Sequence, residues 1–174
     1  MKDHQRILAM LVMFVFGAIA FIRWYETHLF FFVIVILRDV LAAFYFFNRI
    51  PAEIKASKWI AAMAYFSAII PLCYLGINTS NSHLILAANL FSILGLLLVA
   101  LATLELGTSI GISPAKRIRI SSGVYRLFKH PMYLGYSISE LGLCLINPYN
   151  IAICFFSIFL YCFRVKHEEK MLSF

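Results

Sequence analysis

Apolar residues run along this 174-residue chain in six blocks divided by short polar punctuation. The blocks are Ile7–Ile22, Leu29–Phe47, Trp59–Ile77, Leu84–Leu106, Met132–Ile146 and Ile151–Val165, and charge, Pro, Asn or Gly separates them. A helix crosses a bilayer with about 20 predominantly apolar residues. The second, third and fourth blocks have that length. The first is shorter, and the last two hold 15 residues each, or about 22 Å of helix against a hydrocarbon core of about 30 Å; their ends must be adjusted, tilted or incomplete. The pattern predicts an all-α fold, a multi-pass transmembrane bundle of about six hydrophobic helices that closes with a C-terminal helical hairpin.

Composition agrees with the pattern. Hydrophobic residues make up 63% of the chain and mean hydropathy is +0.88, well above the roughly 45–50% apolar share of soluble domains. Charge then orients the bundle, because cytoplasmic loops carry the excess of Lys and Arg. With six crossings and the N-terminus inside, the inner segments hold Lys2, Arg6, Arg49, Lys55, Lys58, Lys116, Arg117, Arg119, Arg126, Lys129, Arg164, Lys166 and Lys170, thirteen of the fifteen basic residues. The outer loops hold Arg23, and Arg38 lies within the second block. Both termini are therefore expected in the cytoplasm, in a bacterial inner membrane or the endoplasmic reticulum. A net charge of +7 suits a basic face beside anionic membrane lipids, and no RNA- or DNA-binding signature accompanies it; nucleic acid is not an expected partner. Lys2 and Arg6 ahead of an apolar stretch with Ala18-Ile19-Ala20 also resemble a cleavable signal. The stretch reads better as a span, since nothing downstream resembles a secreted domain. Cys73, Cys144, Cys154 and Cys162 sit in apolar blocks without metal-ligand pairing, so no metal is expected.

The longest non-apolar stretch, Gly107–Pro131, divides the chain into N-terminal helices, residues 1–106, and a C-terminal region, residues 107–174. Connections of this length tend to be functional or disordered. Ile110, Ile112, Ile118, Ile120, Val124, Tyr125, Leu127 and Phe128 alternate with its basic residues, which suits a segment lying in the membrane interface. From Met132 the chain then runs apolar, turns at Asn147-Pro148-Tyr149-Asn150 and runs apolar again to Val165. A hairpin of that kind returns the segment ending at Pro131 and the segment starting at Arg164 to one side of the membrane.

Two groups of residues there can carry chemistry. In Lys129-His130-Pro131-Met132-Tyr133-Leu134-Gly135, Pro131 suits the first turn of a helix and places His130 at its N-cap. Gly135 opens the helix surface to a close approach. Tyr133, Tyr136, Ser137 and Glu140 follow at i, i+3, i+4 and i+7, a polar stripe on one face. An intramembrane carboxyl such as Glu140 is either functional or a tie to a neighbouring helix. At the hairpin exit, Arg164 and Glu168 are spaced for a helical ion pair. Glu168 and Glu169 could instead accept hydrogen bonds from a ligand's hydroxyl or ammonium groups. Arg38 and Asp39, inside the second block, are expected to serve structure by neutralising each other or reaching other partners, and Glu105 is left open between structure and function.

Together these residues resemble the isoprenylcysteine carboxyl methyltransferase family and its phospholipid methyltransferase relatives. The family pattern reads approximately G-P-Y-R, then R-H-P-x-Y-x-G, then, beyond a hydrophobic hairpin, R-x-x-x-E-E-x-x-L. Gly123-Val124-Tyr125-Arg126, Lys129 to Gly135, and Arg164-Val165-Lys166-His167-Glu168-Glu169-Lys170-Met171-Leu172 follow it in register. Val124 stands for the usual Pro and Lys129 for the usual Arg, and many relatives continue beyond the position of Phe174 with an aromatic-rich tail. The resemblance implies an integral-membrane enzyme using S-adenosylmethionine, held by His130, Tyr133, Gly135 and Tyr125 on one side and Glu168 and Glu169 on the other. A hydrophobic or lipid-anchored acceptor would take the methyl group. For a carboxylate acceptor Arg164 is the expected catalytic partner; for an amine, Glu140 or His130 would accept its proton. Two rivals are a membrane sterol or enone reductase using NADPH, with a similar His/Tyr-Pro-x-Tyr-x-Gly segment, although Glu168-Glu169 fits the methyltransferase pattern better, and a non-enzymatic membrane scaffold.

Overall fold

The computed structural model describes residues 4–28 and 30–172. Lys2, Leu29 and Phe174, used above, lie outside the described residues. The fold is mostly helical. Helices α1 (His4–Thr27) and α2 (Phe31–Phe47) pack on each other; α3 (Lys58–Ile69) passes into a 3-10 turn, Ile70–Cys73. Helix α4 (Ser82–Leu106), a short α5 (Val124–Leu127), α6 (Pro131–Ile146) and α7 (Asn150–Leu172) complete it. Three helical stretches among the described residues are long and apolar enough to cross a membrane: Arg6–Thr27, Ser82–Ser109 and Asn150–Met171.

The lengths differ from those read off the apolar blocks. The first and last blocks form two of the three long helices, because neither Gly nor Pro stops the helix where the apolar run gives way to Arg23 and Glu26, or to Lys166 and Lys170. The third block is the short one. Pro71 has no N–H to continue the ladder, so α3 tightens into the 3-10 turn and the chain then runs extended from Tyr74. Asn150, fully buried, receives that extended segment. Its Oδ1 accepts the Leu75 N–H at 2.8 Å, and its Nδ2 donates to the Leu75 carbonyl at 3.1 Å and the Leu143 carbonyl at 2.9 Å. Asn147 Nδ2 donates to the Gly76 carbonyl at 2.9 Å. Two side chains of the α6–α7 turn thus satisfy backbone groups that lack a helix.

Side chains are distributed in reverse of a water-soluble domain. Phe14, Phe21, Leu94, Leu101, Phe155 and Phe159 point outward, while Ala9, Ala20, Ala43, Ala64, Ala88 and Ala102 are buried. Small residues inside and large apolar residues outside is the arrangement for helices packed in lipid. The closest packing is between α4 and α6. A Cβ at Gly95 would stand 2.4 Å from the Gly135 carbonyl oxygen, and one at Gly135 would stand 2.6 Å from the Gly95 carbonyl oxygen; Ser92 Oγ donates to the Ser139 carbonyl at 3.3 Å along the same seam. Arg38 and Asp39 pair as expected, with Nε 2.9 Å from Oδ1, and the guanidinium lies 5.8 Å from the centre of the Tyr136 ring.

The long connection is more structured than an interfacial loop alone. A two-residue antiparallel ladder, β1 (Ile54–Lys55) with β2 (Ala115–Lys116), corrects the purely helical expectation and ties the α2–α3 loop to it. Its apolar residues divide. Ile110 and Ile112 join Ala9, Ala42 and Phe46 in the core, whereas Ile118 and Leu127 are 62% and 77% exposed. Only the second part of the segment presents an apolar face outward.

Candidate functional site

The hairpin brings its two polar ends together. Helix α6 begins at Pro131 with His130 at the N-cap, and α7 runs without a break past Arg164 to Glu168 and Glu169. Tyr161, Arg164 and Glu168 fall at i, i+3 and i+7, so α7 presents a polar stripe to that of α6. The stripes match in antiparallel order. The Tyr133 hydroxyl donates to Glu168 Oε1. The Tyr136 and Tyr161 rings lie 5.9 Å apart, and the Tyr161 hydroxyl donates to Glu140 Oε1 at 2.6 Å. Glu169 Oε1 accepts from Lys129 Nζ at 2.6 Å and from His130 Nε2 at 3.1 Å, while His130 Nδ1 stands 3.8 Å from Glu168 Oε2.

A cavity of about 570 Å³ opens beside this junction, within the usual size of small-molecule sites. Its walls come from the long connection, from α5 through Tyr125, from His130 and Met132, and from Glu168 and Glu169 of α7. Burial, with the Glu168 carboxylate next in importance, pushes the Tyr125 phenol well above its ordinary pKa, so it stays a neutral donor. Lys129, which pairs with Glu169, and Arg119 and Lys166 line the same cavity. The cavity is thus bipolar, with hydrogen-bond acceptors on the α7 wall and positive charge around them.

The residues singled out from the sequence occupy different places. His130, Tyr125, Glu168 and Glu169 line the cavity, and Tyr133 stands directly behind it through its bond to Glu168. Gly135 does not line it. The close approach expected there is made by α4, through Gly95 and Val99. Arg164 is buried below the cavity rather than paired with Glu168. Its Nη1 donates to Ser67 Oγ at 3.1 Å, its Nη2 donates to the Ile112 carbonyl at 2.7 Å, and its guanidinium lies 5.0 Å from the Tyr133 ring centre. Glu140 is ten residues along α6 from His130, about 15 Å down the helix axis, and its nearest bonded partner is Tyr161.

Glu105 gains a definite place. From the last turn of α4 its carboxylate accepts the Val124 N–H with both oxygens, at 3.0 and 2.8 Å. The only local signal for this was Gly123 at the head of the first motif. The basic residues of the cavity rim, Arg119 and Lys166, were readable as charge but not as members of one wall, because their meeting depends on the path of an irregular loop.

The polar ends of a membrane hairpin, a cavity between them and the three motifs in order find a counterpart among known families. No curated protein and no solved structure matches the chain. The model of the isoprenylcysteine carboxyl methyltransferase (ICMT) family matches residues 84–174, just over half of the chain, from the first turn of α4 onward, a range that includes every residue lining the cavity. The chain belongs to the isoprenylcysteine carboxyl methyltransferase family of membrane methyltransferases.

Proposed function

We propose that the protein is an integral-membrane S-adenosylmethionine-dependent methyltransferase acting on a lipidic or hydrophobic acceptor. The observation that carries this reading is the bipolar cavity at the open end of the hairpin, with Glu168 and Glu169 on one wall and Tyr125 and His130 on the others. The residues present fit such a cofactor. Carboxylates suit ribose hydroxyls and an ammonium group, and the neutral Tyr125 phenol suits a polar edge. When bound, S-adenosylmethionine supplies a methyl group activated by its sulfonium. The chain's own contribution is positioning and exclusion of water. The Lys129 and His130 contacts fix Glu169, and Tyr133 fixes Glu168, so the acceptor wall is ordered in advance.

The acceptor's chemistry decides which further residue acts. For a carboxylate acceptor no base is required, and the buried Arg164 guanidinium behind Tyr133 contributes positive charge below the site. For an amine, His130 is the better-placed proton acceptor, because it lines the cavity while Glu140 lies deeper in the bundle. Exposed Ile118, Leu127 and Phe128 beside the cavity support an acceptor that arrives with its apolar tail in the lipid.

The same reading includes six crossings, with both termini and the cavity facing the cytoplasm of a bacterial inner membrane or of a cell with an endoplasmic reticulum. Residues 1–106 serve as the membrane scaffold and 107–174 as the catalytic region. Thirteen basic residues on one side support this topology. Incubation of the protein in lipid extracts with methyl-labelled S-adenosylmethionine tests the activity. Label in the lipid fraction is the expected result, lost with Glu168→Ala; an unlabelled lipid fraction across extracts from several sources would refute the acceptor class.

A further inference from the structure

The turn carrying Gly123-Val124-Tyr125-Arg126 has little means of holding its own shape. Helix α5 is four residues long and has no side-chain cap from its own loop, and an isolated turn of that length is far below the size at which helices persist unaided. Its order comes from α4. Both Glu105 oxygens accept the Val124 N–H. Gly123 makes room for them, with φ +51° and ψ −125°, a conformation open to glycine but strained for other residues. A Cβ at Gly123 would stand 1.8 Å from Glu105 Oε1 and 2.2 Å from its carboxyl carbon. Beyond the anchor the turn closes on itself: Tyr125 N–H donates to the Ser122 carbonyl at 3.0 Å, Arg126 N–H to Gly123 at 3.1 Å, and Phe128 N–H to Val124 at 2.9 Å. Tyr125 is thereby aimed into the cavity, and the chain is delivered to Lys129 and His130.

We infer that Glu105 is a positioning residue of the site, which holds the turn of residues 122–128, and through it Tyr125, against the end of α4. The inference rests on the cofactor reading above for what Tyr125 meets in the cavity, but the anchor itself does not. Glu105 bonds the loop at Val124 and does not line the cavity, so its effect reaches a ligand through Tyr125 and His130. Because α4 also packs on α6 through Gly95 and Gly135, one helix sets both the loop wall and the α6 wall of the cavity.

Two variants of the full chain separate positioning from general stability. Glu105→Gln keeps one oxygen for the Val124 amide; Glu105→Ala keeps none. Binding of S-adenosylhomocysteine, measured calorimetrically in detergent, should weaken about tenfold or more in Glu105→Ala, as for loss of a charge-assisted bond. In Glu105→Gln it should stay within about threefold. Hydrogen exchange should quicken over residues 122–128 in Glu105→Ala while α4 and α6 keep their protection. Unchanged exchange over 122–128 would overturn the inference, as would equal loss of affinity in both variants with faster exchange throughout the bundle. If the unmodified protein binds no S-adenosylhomocysteine, the cofactor reading fails, and the anchor stands or falls on the exchange result alone.

Discussion

Replacing Asn150 with Ala should loosen the end of the hairpin farthest from the cavity, and the size of the effect follows from three bonds. Asn150 is fully buried, accepts the Leu75 N–H and donates to the carbonyls of Leu75 and Leu143. The substitution leaves the part-buried Leu75 N–H without its acceptor, at up to about 1–3 kcal/mol, and removes two further bonds at about 0.5–1.5 kcal/mol each. Side-chain hydrogen bonds in membrane proteins average nearer 0.6 kcal/mol, which pulls the total toward the lower end, about 2–4 kcal/mol. Asn150→Asp keeps an acceptor for Leu75 but no donor unless protonated, so it separates the cost of the orphaned N–H from that of the two donations. Unfolding in mixed detergent, followed by circular dichroism, measures both variants. A loss below about 0.5 kcal/mol in Asn150→Ala would refute the assignment of Asn150 as the tie between the hairpin and the extended segment after Pro71.

Three other outcomes are expected. Glu169→Ala should weaken binding of S-adenosylhomocysteine about tenfold, the scale of a charge-assisted contact, with an unchanged thermal midpoint; equal affinity would remove Glu169 from the site. Gly95→Ala sets a Cβ against the backbone of Gly135 and Ser139 and should cost at least about 1–3 kcal/mol of stability, whereas Gly76→Ala meets nothing within 4 Å and should be tolerated; similar unfolding curves for the two would contradict the α4–α6 seam. Burial and Glu168 raise the Tyr125 pKa, so the stability it contributes is fully present below the unfolded value of about 10 and is lost as pH rises toward the folded value. The ultraviolet difference between the protein and Tyr125→Phe should show no phenolate at pH about 10.5, and a phenolate signal there would place Tyr125 in solvent.

What could be read from the sequence is what local spacing encodes. The α6–α7 hairpin follows from two apolar runs around Asn147-Pro148, and its return of Glu168 and Glu169 to His130 follows from helix geometry alone. The stripe from Tyr133 to Glu140 was visible as a period, but its partner stripe on α7 begins at Tyr161 inside an apolar block, where hydropathy conceals a hydroxyl. Other features depend on contacts distant in sequence. Helix α3 ends early because Pro71 interrupts it and because Asn150, 75 residues from Leu75, satisfies the freed backbone. Gly135 was legible as a site of close approach, but the approaching group is the backbone of α4 rather than a ligand. Apolar blocks also misjudge the ends of helices that continue into polar residues, which is why α1 and α7 exceed their blocks.

The cavity at the open end of the hairpin is the proposed seat of S-adenosylmethionine. Calorimetric titration of the purified protein in detergent with S-adenosylmethionine, S-adenosylhomocysteine and NADPH tests this assignment directly. The first two should bind at one site per chain, binding should be abolished by joint replacement of Glu168 and Glu169 with Ala, and NADPH should not bind. Binding of NADPH alone would contradict the assignment in favour of a reductase, and binding of none of the three would leave a membrane protein without the proposed cofactor site.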